Sequence, residues 1–169
     1  MTTIRYAAYG SNLAPARLQY RVGAIEILGT AELPGWQLDF SKRGSDDSGK
    51  CDLKRQHDAS AHVAIYEFSV VAREALDKIE GVGHGYRLAW IDIELFGRCC
   101  IYLAESSYVD YTLQPYDWYQ ALVVSGARHH AFPDTYIDTI ESVEARSDPD
   151  EARRALNLAQ YRPPANDKD

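Results

Sequence analysis

The stretch from Ile4 to Pro15 leaves few local geometries open. Ile4 to Ala8 is a short apolar run with strand character, and it leads into Tyr9-Gly10-Ser11-Asn12-Leu13. Pro15 then stands where a first-turn proline opens a helix. Strand, tight turn, helix aims several backbone N–H groups at one point, and the helix end adds partial positive charge there. Such a point suits an anion. Gly10 lets a ligand approach the backbone, and Ser11 and Asn12 add short polar side chains. Two readings stay open: a turn that only caps a helix, since Ser and Asn are favoured caps, or a turn that cradles a ligand.

The 169 residues are 46% apolar and 25% charged, enough for one stable core. The expectation is a single domain over 1–161, with 162–169, polar and Pro-containing, as a frayed tail. A net charge of −7 argues against nucleic acid or an anionic membrane as partner. No apolar run reaches the roughly 18 residues that read as a membrane span. The opening Met1-Thr2-Thr3-Ile4-Arg5 lacks a signal-peptide pattern. The cysteines are Cys51, Cys99 and Cys100, an odd count with two adjacent, which is no disulfide framework. The compartment expected from these points is a reducing cytoplasm.

Strand-like runs dominate early: Ala24 to Leu33, Trp36 to Phe40 after the Pro34-Gly35 break, and His62 to Phe68. Gly44 to Gly49 reads as an exposed, mobile polar loop. Arg87 to Leu95 alternates, with Ala89, Ile91, Ile93 and Leu95 on one face, and pairs across a short turn with Cys99 to Leu103. Helices dominate late. Val70 to Ile79 carries the stripe Ala72, Ala75, Leu76, Ile79 behind an N-cap at Ser69. Asp117 to Arg128 turns Leu122 and Val123 inward, and Pro133 opens a helix with Tyr136, Ile137, Ile140 and Val143. Ser147-Asp148-Pro149 starts a last helix with Ala152, Ala155, Leu156 and Ala159 facing inward. The class is α+β: a mixed, curved or closed sheet (a small barrel) with flanking helices and a helix-rich C-terminal part.

A second motif ends the Val70 helix: Ile79-Glu80-Gly81-Val82-Gly83-His84-Gly85-Tyr86. Gly81 suits the left-handed residue that closes a helix, which makes Glu80 the last helical side chain. The negative end of the helix and the apolar neighbours Ile79 and Val82 disfavour its ionised form. A carboxyl that holds its proton firmly suits proton transfer. The plainer reading is a solvated glutamate before a capping glycine. A third stretch, Pro115-Tyr116-Asp117-Trp118-Tyr119, runs through a helix into Gly126-Ala127. There Tyr119 is either a core residue or a pocket wall.

Together the Tyr9–Leu13 turn, Glu80-Gly81 with its Gly-rich loop, and Tyr119 with Gly126-Ala127 resemble the gamma-glutamyl cyclotransferase family. The resemblance runs roughly from Ile4 to Ile140 and is loose outside the three motifs. It implies release of 5-oxoproline and a free amine or amino acid from a gamma-glutamyl compound. It carries the general acid/base role to Glu80 and the substrate-binding role to Tyr9, Gly10, Ser11, Asn12, Leu13 and Tyr119. It needs no metal, nucleotide or other cofactor. The partners it implies are a small gamma-glutamyl molecule and, at most, a second copy of the chain in a homodimer.

Rival chemistries find less support. His57, His62, His84, His129 and His130 lack the spacing of a helical zinc pair. Gly10-Ser11-Asn12 is not a serine-hydrolase elbow, and Cys99 and Cys100 sit mid-strand. A non-catalytic ligand-binding or interaction protein on the same fold is the alternative from another class. Within the enzyme reading, Asn12-Leu13-Ala14 departs from the Leu-Ile-Trp continuation of the glutathione-specific branch. Ser11-Asn12 departs from the Tyr-Gly-Thr-Leu turn of the gamma-glutamylamine branch. Gamma-glutamyl amino acids, or a specialised amine or biosynthetic intermediate, remain as substrates.

Overall fold

The computed structural model describes residues 2–160. The expected tail at 162–169 lies outside them. Strand β1 (Thr3–Ala8) is the spine of a five-stranded sheet of order β2-β3-β1-β5-β4. It pairs antiparallel with β3 (Gly49–Ser69), from Thr3 opposite Ser69 to Ala8 opposite Ala64. On its other side it runs parallel to β5 (Gly97–Ala104), with Tyr6 opposite Cys100. Covered on both sides, the end of β1 buries Tyr6, Ala7 and Ala8 on successive positions. Strands β4 (Tyr86–Ile93) and β5 form one hairpin; β2 (Glu26–Arg43) and β3 form a longer one.

The sheet is mixed and flanked by helices, as α+β composition requires, but it is not a closed barrel. Among the described residues no ladder joins edge strand β2 to edge strand β4. The β2–β3 hairpin carries register shifts at Ile27/Gly29, Pro34/Trp36 and Asp39/Lys42, irregularities of the kind that bend a strand. Pro34-Gly35 therefore does not break the strand. It sits at one of those shifts on an edge strand, where proline's missing N–H costs little. The 44–49 segment is likewise a tied hairpin turn rather than a mobile loop. Asp46 Oδ1 accepts from Ser48 N (3.1 Å) and Ser48 Oγ (2.8 Å), and Lys50 Nζ donates to Asp46 Oδ2 (2.9 Å).

Helix α1 (Pro15–Val22) follows a single 3-10 turn at Ser11–Leu13. Helix α2 (Val70–Glu80) starts as its sequence suggests, with Ser69 Oγ accepting from Ala72 N at 3.1 Å. It ends at Gly81, whose φ of +67° is the left-handed value a side chain would oppose. Its inward face is not the expected stripe: Ala75 and Ile79 are exposed, and Ala72 and Leu76 turn in. Glu80 lies one turn beyond Leu76 on that same inward face. Strand β4 ends at Ile93, and Leu95 is exposed in the turn to β5.

Helices α3 (Asp117–His129) and α4 (Asp134–Glu141) bury Leu122, Val123, Ile137 and Ile140 as anticipated. Helix α5 (Glu151–Gln160) departs from its hydrophobic pattern: Ala152, Ala155, Leu156 and Ala159 face outward. Charge docks it, with half-buried Leu158 against the core. Asp148, buried and bonded to Trp118 Nε1 (2.8 Å), accepts from Arg153 Nε (2.7 Å) and Nη2 (2.5 Å). Arg154 pairs with Asp117 at 2.9 Å. These bonds hold the Asp148 carboxyl far below the usual carboxylate range, the Arg153 hydrogen bonds first among them. No helix is long and apolar enough to cross a membrane among the described residues.

Candidate active site

The end of β1 delivers Tyr9 and the turn to the mouth of the sheet, and α2 delivers Glu80 to the same place. Glu80 Oε1 accepts from Asn12 Nδ2 and from Arg21 Nη1, each at 2.9 Å. Arg21 Nη1 also donates to Asn12 Oδ1 at 2.8 Å, and Asn12 Nδ2 donates to Tyr6 Oη at 3.1 Å. Asn12, Arg21 and Glu80 thus close a triangle. It fixes the amide's orientation, since the flipped amide would set NH₂ against a guanidinium and oxygen against a carboxylate.

A cavity of about 30 Å³ opens beside this triangle. Tyr9, Gly10, Ser11, Asn12, Glu80 and Tyr119 line it, with Tyr6, Cys51, Tyr86 and Tyr102. The structure therefore brings the turn, the glutamate and the α3 tyrosine to one wall. Leu13 is the exception: it is fully buried beneath the turn, and its carbonyl accepts from Tyr66 Oη at 2.8 Å. Gly10 also has a structural duty the sequence did not suggest. A Cβ there would lie 2.9 Å from Cys51 Cβ, so the turn packs onto β3 as well as facing the cavity.

The tyrosines form a bonded shell. Tyr119 Oη accepts from Cys51 N at 3.1 Å, Tyr86 Oη donates to Cys51 O at 2.6 Å, and the Tyr9 hydroxyl donates to Tyr102 O. Tyr102 Oη donates to Asp77 Oδ1 at 2.7 Å. Burial raises the Tyr6, Tyr9, Tyr86, Tyr102 and Tyr119 phenols above their ordinary value; for Tyr6 the nearby Glu80 carboxylate adds to it. All remain neutral hydroxyls. A second, larger cavity of about 630 Å³ lies between β2 and α4, and it contains neither Glu80 nor the turn.

Several contributors escaped the sequence, Cys51 and Tyr86 of the lining among them. Arg21 was unsuspected, and Tyr6 and Tyr102 read only as strand residues. The one available signal was composition, with Tyr 12 against Phe 4. Hydroxyls are kept where a cavity wall needs donors. The surroundings of Glu80 also differ from expectation. Ile79 points to solvent, and the carboxylate faces a cation.

Among the described residues no group of three or more His, Cys, Asp and Glu could hold a metal ion. The three thiols are free and buried. Burial raises each, Cys100 to about 12. An aromatic disulfide reagent at pH 8 is expected to leave all of them unreacted in the native protein and to count all after denaturation. A rapid native reaction would overturn this.

No protein-family model matches the sequence, and none of the curated proteins compared with it does. Solved structures match at the level of fold. A gamma-glutamyl cyclotransferase superposes with a TM-score of 0.78 at 20% identity, over 94% of this chain and 99% of that one. An uncharacterized protein from Homo sapiens gives 0.79 at 20% identity, over 93% and 99%. YkqA from Bacillus subtilis gives 0.71 at 23%, over 86% of this chain and 56% of its own length. Over nearly its whole length, the chain has the fold of gamma-glutamyl cyclotransferase.

Proposed function

We propose that the chain is a gamma-glutamyl cyclotransferase whose general acid/base is Glu80. One observation carries the reading: the Glu80 carboxyl and the Tyr9–Asn12 turn share one cavity, arriving there from α2 and β1. The reaction closes a ring within one molecule. The substrate α-amine attacks its own γ-carbonyl carbon, a C–N bond forms, and the C–N bond to the leaving amine breaks. Water takes no part. The protein's main task is to fold the glutamyl chain into its closing conformer, which pre-orientation favours by several kcal/mol (roughly 7 or more in good cases).

Two proton movements accompany the ring closure. The ammonium must lose a proton before it attacks, and the leaving nitrogen must gain one. Glu80 takes the first proton and returns it to the leaving group, help typically worth about 10²–10⁴-fold. Its hydrogen bonds to Asn12 and Arg21 fix one oxygen, Oε1. The other oxygen is then the one left for substrate. The first N–H groups of the 3-10 turn, at Ser11 and Asn12, have no partner within that helix and suit the substrate α-carboxylate. Tyr9 and Tyr119 shape the wall around it.

A cavity of about 30 Å³ equals roughly the share of one water molecule in the liquid. The Glu80 and Arg21 side chains, 15% and 18% exposed, reach solvent there. Free, buried thiols fit a reducing compartment, the cytoplasm. The test is direct: the purified chain is expected to release 5-oxoproline from a gamma-glutamyl dipeptide at a rate linear in protein. Tight binding of 5-oxoproline without turnover would make it a ligand-binding protein instead.

A further inference from the structure

Five tyrosines line the cavity that holds Glu80, and each brings a hydroxyl hydrogen that needs an acceptor. Three of those hydrogens are spent within the protein. Tyr9 gives its own to Tyr102 O, Tyr86 to Cys51 O at 2.6 Å, and Tyr102 to Asp77 Oδ1 at 2.7 Å. Tyr119 has the Cys51 thiol, a weak acceptor, beside it, and its oxygen takes the Cys51 N–H at 3.1 Å. Tyr6 differs from all of these. Its oxygen accepts from Asn12 Nδ2 at 3.1 Å, and no acceptor among the described residues takes its hydrogen.

That hydroxyl is held in place from two sides. Asn12 Nδ2 bonds its oxygen and, with the other hydrogen of the same amide, Glu80 Oε1 at 2.9 Å. The ring packs edge-on to Tyr102, with 5.5 Å between centroids, and lies 5.9 Å from Phe68. The Tyr6 hydroxyl thus stands one amide group away from the carboxyl that moves protons. Burial and the Glu80 carboxylate both raise the phenol, so it keeps its hydrogen at neutral pH. A buried donor without an acceptor is costly, and a ligand oxygen in the cavity would remove that cost.

Resting on the cyclotransferase reading, we propose that Tyr6 is a catalytic residue whose hydroxyl donates to the substrate γ-carbonyl oxygen and holds the negative charge which that oxygen carries once the α-amine has attacked. The step balances without a further reactant. The amine nitrogen bonds to the carbonyl carbon, and the π electron pair moves onto oxygen. Tyr6 shares its hydrogen with that oxygen and does not give it up. When the C–N bond to the leaving amine breaks, the carbonyl re-forms and Glu80 supplies the proton to the leaving nitrogen. The turn N–H groups at Ser11 and Asn12 are engaged by the α-carboxylate in this reading, so the oxyanion needs a donor of its own. A fixed hydroxyl shielded from water does more for a developing charge than for a neutral carbonyl, which places its effect on kcat.

Tyr6→Phe keeps the ring and removes the donor, and Asn12 keeps its bonds to Glu80 and Arg21. Its kcat for 5-oxoproline release from a gamma-glutamyl dipeptide, per folded protein as read by circular dichroism, is expected to fall about 100-fold. KM and the inhibition constant of 5-oxoproline are expected to change by less than about fivefold, since both report a neutral carbonyl. The acid limb of the kcat/KM profile is expected to stay where the parent has it. A loss in kcat below about tenfold, an equal loss in kcat and in 5-oxoproline binding, or a shifted acid limb, the sign of a residue acting through Glu80, overturns the assignment while leaving the cyclotransferase reading intact. A parent that releases no 5-oxoproline removes that reading and this assignment together.

Discussion

Glu80→Gln is expected to lower kcat for 5-oxoproline release at least about 100-fold while Tm falls by no more than about 5 °C. The separation of the two effects follows from the triangle around Oε1. Glutamine keeps an amide oxygen that accepts from Asn12 Nδ2 and Arg21 Nη1, so the geometry of the turn survives. What it lacks is a group that takes a proton and gives it back. Arg21 loses a counter-charge, but its side chain is 18% exposed and water substitutes in part. The loss falls on kcat because the amide still occupies the carboxyl's place in the ground state. Activity within about tenfold of the parent would assign the proton transfers elsewhere.

That expectation replaces the physical reason by which the sequence singled out Glu80. The residue stood out because a carboxylate at a helix C-terminus among apolar neighbours is unfavourable. The terminus is real, closed by Gly81 in the left-handed conformation. Of the two apolar neighbours, Val82 is half-buried against the core but Ile79 faces outward, and a guanidinium from α1 takes the carboxylate. Arg21 was illegible because nothing local ties it to a partner 59 residues away. Helix ends and turns announce themselves through a few adjacent residues, whereas ion pairs between elements depend on how the elements dock.

The same distinction explains the fold. Strand β1, its turn and the start of α1 were legible because glycine, proline and the apolar run act within a dozen residues. The first half of β3 was not. Arg55 to Asp58 are exposed on successive positions, beside the register shift between Trp36↔Arg55 and Pro34↔Ser60, with no buried face to impose alternation. Helix α5 failed in the opposite sense. Its apolar stripe was plain in the sequence, but buried Asp148 and half-buried Asp117 hold Arg153 and Arg154 and turn that stripe outward. Hydrophobic periodicity predicts the inward face only where burial of apolar area outweighs such ties.

Gly126→Ala is the second large effect, and it tests whether α3 sets the position of the turn. In a helix interior this exchange ordinarily stabilises by about 1 kcal/mol. Here a Cβ would lie 2.4 Å from Leu13 Cβ and 2.7 Å from Ala14 N and Leu13 C, distances that real atoms do not sustain. Most of what it meets is backbone of the Tyr9–Leu13 turn and the start of α1, so no rotamer change relieves it. Leu13 is itself fully buried, with its carbonyl held by Tyr66. Either α3 or the turn must move. The expected cost is about 3 kcal/mol, with Tm lower by roughly 6–12 °C. Displacing the turn also displaces Asn12, which positions Glu80 Oε1 at 2.9 Å, so kcat/KM at a temperature where the variant is fully folded is expected to fall about 100-fold. A variant less stable but fully active would mean that α3 yields and the turn keeps its place. A variant as stable as the parent would mean that the close packing of α3 on Leu13 is absent from the protein in solution.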